Sequence, residues 1–130
     1  MIKILITDDQ AEWRNYHVKS IKELFNNRVL IDTAISASDG YEKILENNTS
    51  PYDIIITDLQ METDYLPKMA GEWFIEQIKM LSSFCNTKIV IISASPKIKM
   101  IADFYNVDFI RKSNAILGID SYYEILKDFI

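Results

Sequence analysis

The chain has 130 residues, enough for one domain spanning 1–130 and too few for two ordinary ones. Hydrophobic content of 48% with 25% charged residues is that of a globular protein able to bury a core. Fourteen basic against nineteen acidic residues give a net charge of −5, which argues against direct nucleic-acid binding through phosphate neutralisation.

No apolar stretch approaches the roughly 20 residues of a membrane span. The start, Met-Ile-Lys-Ile-Leu-Ile-Thr-Asp, is too short and too soon acidic for a signal peptide, so the cytoplasm is the expected location. The single cysteine, Cys85, excludes an internal disulfide framework and is expected to be a small buried hydrophobe.

Apolar runs alternate with helical patterns from end to end. Ile2–Thr7 reads as a first buried strand and stops at Asp8-Asp9. Trp13, His17, Ile21 and Leu24 then recur at helical spacing, and His17 reads as a hydrogen-bonded core residue. Trp13 and Trp73 read as packing residues. Val29-Leu30-Ile31 is a second strand. Ser36 and Ser38 are candidate caps for a helix carrying Tyr41, Ile44 and Leu45, closed by the turn chemistry of Asn47 to Pro51.

Ile54–Thr57 is a third strand and ends at Asp58. A long connection from Gln60 to Ala70 leads to a helix marked by Phe74, Ile75, Ile78 and Leu81. The fourth strand, Ile89–Ile92, closes on Ser93. Ser95-Pro96 reads as an N-cap followed by a proline at the first helical position. Ile98, Ile101, Ala102 and Tyr105 form that helix's stripe, and Asn106 suits a left-handed helix end. Phe109-Ile110 is a short fifth strand followed by Lys112. Ser121 to Glu124 fits a capping box opening a last helix with Tyr122, Leu126 and Phe129 on one face.

Strands alternating with helices imply right-handed βαβ units and a mostly parallel α/β sheet with helices on both faces. In such sheets ligands bind outside the carboxyl ends of the strands. Asp8, Asp9, Asp58, Ser93 and Lys112 all fall there. Clustered carboxylates repel one another and call for a cation; an all-oxygen set favours Mg²⁺.

This constellation resembles the receiver domain of two-component response regulators. The matching residues are Asp8-Asp9, Asp58, Ser93-Ala94, Phe109 and Lys112, with Gly40 and Met69-Ala70-Gly71 as further landmarks. The resemblance covers nearly the whole chain. It implies a doubly wound, flavodoxin-like five-stranded parallel sheet in the order 2-1-3-4-5. It implies a phosphorelay switch that accepts a phosphoryl group on Asp58 from a histidine kinase or a histidine phosphotransfer protein. Asp9, Asp58 and the Gln60 carbonyl would hold Mg²⁺, with Asp8 acting through a metal-bound water. Lys112 would neutralise a phosphoryl oxygen, and Ser93 and the N–H of Ala94 or Leu59 would bond others. Ser93 would then move inward and Phe109 would swing. That repacks the face of the fourth helix, fifth strand and last helix, which would bind a downstream protein or a second copy. No metabolic activity is implied beyond self-phosphorylation and self-dephosphorylation.

Three features depart from the family's pattern. Met61 is followed by Glu62, with proline only at Pro67, and the connection to Gly71 is about five residues longer than usual. The stretch from Ser93 to Phe109 is shorter than usual, which predicts a short fourth helix. Ser113 follows Lys112 where a proline is usual, and a trans bond is expected there. An alternative reading is a degenerate receiver serving as a phosphorylation-independent interaction module. A phosphohydrolase with an Asp nucleophile would want an acid two residues after it, and Gln60 holds that place.

Overall fold

A computed structural model describes residues 1–61 and 69–130. Pro67 and the middle of the long connection lie outside the described residues. Five strands, β1 (Ile2–Thr7), β2 (Val29–Ala34), β3 (Ile54–Thr57), β4 (Lys88–Ser93) and β5 (Asp108–Arg111), alternate with helices. These are α1 (Ala11–Leu24), α2 (Ala37–Glu46), α3 (Ala70–Met80), α4 (Ile98–Tyr105), α5 (Lys112–Ala115) and α6 (Asp120–Leu126). The strands form one parallel sheet in the order β2-β1-β3-β4-β5.

The strands are apolar almost throughout because both faces are covered. With side chains alternating at period two, Leu5, Ile55, Ile89 and Ile91 pack on one face with Phe74, Ile78 and Ile101 from α3 and α4. Ile4, Ile6, Ile54, Ile56, Val90 and Ile92 pack on the other with Ile21 of α1 and Tyr122 and Leu126 of α6.

Register sets the working edge. Thr7 pairs with Thr57, so Asp8 and Asp58 leave the sheet side by side. Ser93 pairs with Arg111, so Lys112 leaves β5 at the level where β4 ends.

Several local expectations shift. Only Ser36 caps α2, accepting from the Asp39 N–H at 3.0 Å. Leu45 is exposed. Helix α4 begins at Ile98 rather than Pro96. Ser95 spends its acceptors on the turn before it, taking Lys97 N–H on Oγ and Ile98 N–H on its carbonyl. The helix is short, as expected, and ends at Asn106 with φ 55°. No capping box opens α6: the helix starts two residues early, at Asp120, and the buried Ser121 hydroxyl has no partner among the described residues. Cys85 is exposed, not buried, because the 3₁₀ turn Ser82–Phe84 inserts Phe84 into the core and leaves the next residue outside. The peptide bond between Lys112 and Ser113 is trans, as all described bonds are.

Candidate functional site

Each site residue sits where an apolar strand runs out. Asp8 is 1% exposed and Asp58 5%, depths at which carboxylates need partners. Asp58 Oδ1 accepts from the Leu59 N–H at 2.7 Å and more distantly from the Gln60 N–H at 3.4 Å. Its Oδ2 accepts from Lys112 Nζ at 2.8 Å. Asp8 Oδ1 accepts from the Gln10 N–H at 2.9 Å, and its carbonyl takes Arg14 Nη1 at 2.9 Å. Asp8 Oδ2 stands 3.0 Å from Lys112 Nζ, an ion-pair distance without hydrogen-bond geometry.

One ammonium therefore serves two buried carboxylates. Burial pushes the Lys112 pKa down, but the bond and charge of Asp58, then the charge of Asp8, outweigh it and leave it raised. Burial raises Asp8 above the usual carboxylate range, against the lowering effects of the Gln10 N–H and Lys112. Asp9 completes the cluster: Asp8, Asp9 and Asp58 each offer an oxygen, all within 4.8 Å of one another. Asp8 and Asp58 thus share one ammonium, with a third carboxylate beside them. An all-oxygen donor set and a carboxylate oxygen buried without a hydrogen bond fit a hard cation.

The mouth is a cleft of about 330 Å³ lined by Asp9, Trp13, Asp58, Gln60, Ala94 and Lys112, among others. Gln60 and Ala94 are exposed there. Larger hollows on α1 and beside the chain termini bring no such convergence of carboxylates. Ser93 is buried at 1% exposure and lines a smaller adjoining hollow that shares Ala94 and Lys112. Its Oγ accepts from the Ser95 N–H at 3.2 Å. Phe109 lines neither hollow; it is half-buried against the α3–α4 core, with the Arg111 guanidinium 5.5 Å from its ring.

Gly71 is essential to this geometry. Its N–H donates to the Leu59 carbonyl at 3.0 Å, and a Cβ there would lie 2.1 Å from the Asp58 carbonyl oxygen. No side chain can occupy that position without moving the backbone that carries Asp58.

Three neighbours carried no signal as site residues in the sequence. The Trp13 ring lies 4.9 Å from Lys112 Nζ, a cation–π distance. Arg14 clamps the Asp8 carbonyl. His17 is a hydrogen-bonded core residue as expected, with Nδ1 2.6 Å from the Tyr122 hydroxyl, but its other nitrogen faces Asp8 Oδ2 at 3.9 Å. Helical periodicity places Trp13 and His17 on the apolar stripe of α1 and Arg14 beside it, without saying which strand end that face crosses.

No family model and no curated protein matches the sequence. Solved structures do. The signal receiver domain of the DNA-binding response regulator merR from Colwellia psychrerythraea 34H aligns at TM-score 0.77 and 17% identity, over 99% of this chain and 98% of that one. This is the receiver-domain fold. The Francisella response regulator 1452 receiver domain aligns at TM-score 0.62 and 23% identity over the whole of both chains. A chain from the complex of the CheA3 P1 domain with CheY6 from R. sphaeroides aligns at TM-score 0.73 and 20% identity, over 98% and 95%. Within the receiver fold, the carboxyl edge of β1, β3 and β5 carries the acidic cluster and its lysine. No helix among the described residues is long and apolar enough to cross a membrane.

Proposed function

We propose that the chain is a phosphorylation-dependent switch in a two-component phosphorelay. Asp58 accepts the phosphoryl group, and Asp8, Asp9, Asp58 and the Gln60 carbonyl hold Mg²⁺. The observation that carries this reading is Lys112 Nζ bridging Asp58 Oδ2 at 2.8 Å and Asp8 Oδ2 at 3.0 Å beside a third carboxylate. A structural pair would balance one charge with one; here one ammonium serves two buried carboxylates at a cleft mouth.

In the transfer step a carboxylate oxygen of Asp58 bonds to phosphorus as the phosphorus–nitrogen bond of the donor's phosphohistidine breaks. The donor imidazole leaves with the electron pair. Bound Mg²⁺ supplies charge neutralisation for the phosphoryl oxygens. Lys112 moves from the carboxylates to one phosphoryl oxygen, and the Ser93 hydroxyl and the Ala94 N–H take others. Inward movement of Ser93 draws its Oγ away from the Ser95 N–H, which loosens the turn leading into α4. Phe109 then repacks, altering the face of α4, β5 and α6, where Met100 and Phe104 stand exposed. That face would take a downstream protein or a second copy. The phosphodonor is a histidine kinase or phosphotransfer protein, in line with the neighbour solved with a CheA3 P1 domain. Self-phosphorylation and hydrolysis at Asp58 would be its only chemistry, and the cytoplasm its place.

The test is mass spectrometry after incubation with acetyl phosphate and Mg²⁺. One phosphoryl group should add to the wild type and none to Asp58→Asn, since an amide is a poor nucleophile. An unmodified wild type would favour a constitutive interaction module; a shift persisting in Asp58→Asn would place the acceptor elsewhere.

A further inference from the structure

The transfer chemistry makes no use of His17, yet this imidazole lies between the metal-ligand cluster and α6. It is 1% exposed, its Nδ1 is 2.6 Å from the Tyr122 hydroxyl, and its Nε2 is 3.9 Å from Asp8 Oδ2. Trp13 packs against the ring at 5.4 Å between centroids. A ring buried this deeply is disfavoured as a cation, and a neutral imidazole carries a single N–H.

The surroundings decide which nitrogen holds that proton. The neutral Tyr122 phenol carries one proton and stands 2.6 Å from Nδ1. The phenol proton is then free to bond Nδ1. The opposite tautomer would aim an Nε2 lone pair at a carboxylate oxygen. The N–H therefore sits on Nε2 and faces Asp8.

Asp8 Oδ2 needs such a donor. Its companion oxygen is held by Gln10 and its carbonyl by Arg14, but among the described residues the nearest donor to Oδ2 is the Lys112 ammonium, which Asp58 shares. Once Lys112 engages a phosphoryl oxygen, the Asp8 carboxylate that would help hold Mg²⁺ loses its nearest N–H donor to Oδ2 among the described residues. The gap to His17 must then close by about 1 Å to reach hydrogen-bond range.

We propose that His17 is a positioning residue for Asp8: Tyr122 orients its imidazole so that Nε2–H faces Oδ2 and becomes the donor when Lys112 turns away. This role rests on the phosphoacceptor reading of Asp58. It also ties the state of the site to α6, since Tyr122 would follow the imidazole. Second-sphere groups of this kind orient a ligating carboxylate and set metal affinity.

Nitrogen-15 NMR of the metal-free protein reads the tautomer directly. Nε2–H should dominate in the wild type, and the preference should weaken in Tyr122→Phe. A dominant Nδ1–H would overturn the assignment. Calorimetric Mg²⁺ titration forms the second arm. His17→Phe keeps a buried ring without a donor and should weaken Mg²⁺ binding roughly tenfold. His17→Gln, whose amide can donate, should recover part of the loss. A mere packing residue would alter the unfolding midpoint of His17→Phe and leave its Mg²⁺ affinity at the wild-type value, and that result would sink the proposal. Absence of Mg²⁺ binding in the wild type would instead strike the metal reading of the site, and the orientation of His17 would stand or fall on the NMR arm.

Discussion

Two lysines at opposite ends of the same sheet show what distinguishes a working charge cluster from a structural one. At the amino edge, Lys88 pairs with Asp108 at 2.6 Å, with the side chains 28% and 47% exposed. One cation meets one anion, and water reaches both. At the carboxyl edge, Lys112 is nearly buried and meets Asp8 and Asp58, themselves nearly buried, with Asp9 beside them. Distances at the two ends are alike. Burial and charge balance differ, and both raise the free energy of the carboxyl-edge cluster. A fold that keeps such a cluster holds it ready for something that compensates the charge.

Lys112→Ala should show the difference at its largest. It leaves two buried carboxylates without their shared cation, which costs about 3 kcal/mol of folding stability. Chemical denaturation without divalent cations measures this. Added Mg²⁺ should restore much of the loss, because a cation bound only by the folded state stabilises it. A loss that Mg²⁺ leaves untouched would mean the cluster is structural after all.

Asp8→Asn should do the reverse. Burial raises the Asp8 pKa above 3.8 in the folded protein, so the ionised form is disfavoured there relative to the unfolded chain. Asparagine removes that cost while Lys112 keeps Asp58 as its partner. The metal-free variant should gain about 1 kcal/mol near neutral pH, while its Mg²⁺ affinity falls. The pH dependence has a definite sign. Between 3.8 and the native pKa of Asp8 the folded protein holds the extra proton. The Asp8 contribution to stability therefore falls as pH rises through that window. The difference between wild type and Asp8→Asn should grow across the window and level off above it. A difference that stays flat through the acid range would mean Asp8 is not desolvated.

The carboxyl-edge residues were legible in the sequence because each ends an apolar run. Ile2–Thr7, Ile54–Thr57 and Ile89–Ile92 have no other physical reading than buried strands, and parallel order then gathers Asp8, Asp58 and Ser93. The strand register that sets Asp8 level with Asp58 came only with the fold. So did the partners on α1: Trp13 and His17 are stripe residues by periodicity and Arg14 is not, and nothing local says any of them crosses the end of β1. The displaced start of α4 and the missing cap at Ser121 are failures of a different kind. Serine hydroxyls have several backbone donors in reach, and tertiary packing chose among them. Cys85 followed burial statistics in the sequence and a 3₁₀ turn in the fold.

The smallest effect belongs to the amino edge and supplies the control. Lys88→Ala removes the partner of a half-exposed Asp108, which water then solvates. Exposed pairs contribute little once screening and side-chain entropy are counted, so the loss should stay below about 1 kcal/mol. It should shrink further in added salt, because salt screens charges that water already reaches. The Lys112→Ala loss, seated where solvent is excluded, should respond much less to monovalent salt and strongly to Mg²⁺. Denaturation of both variants in sodium chloride and in magnesium chloride reads all four values together. If Mg²⁺ and sodium chloride of equal ionic strength rescue Lys112→Ala alike, the carboxyl edge is responding to screening alone. The two ends of the sheet would then differ in depth and not in purpose.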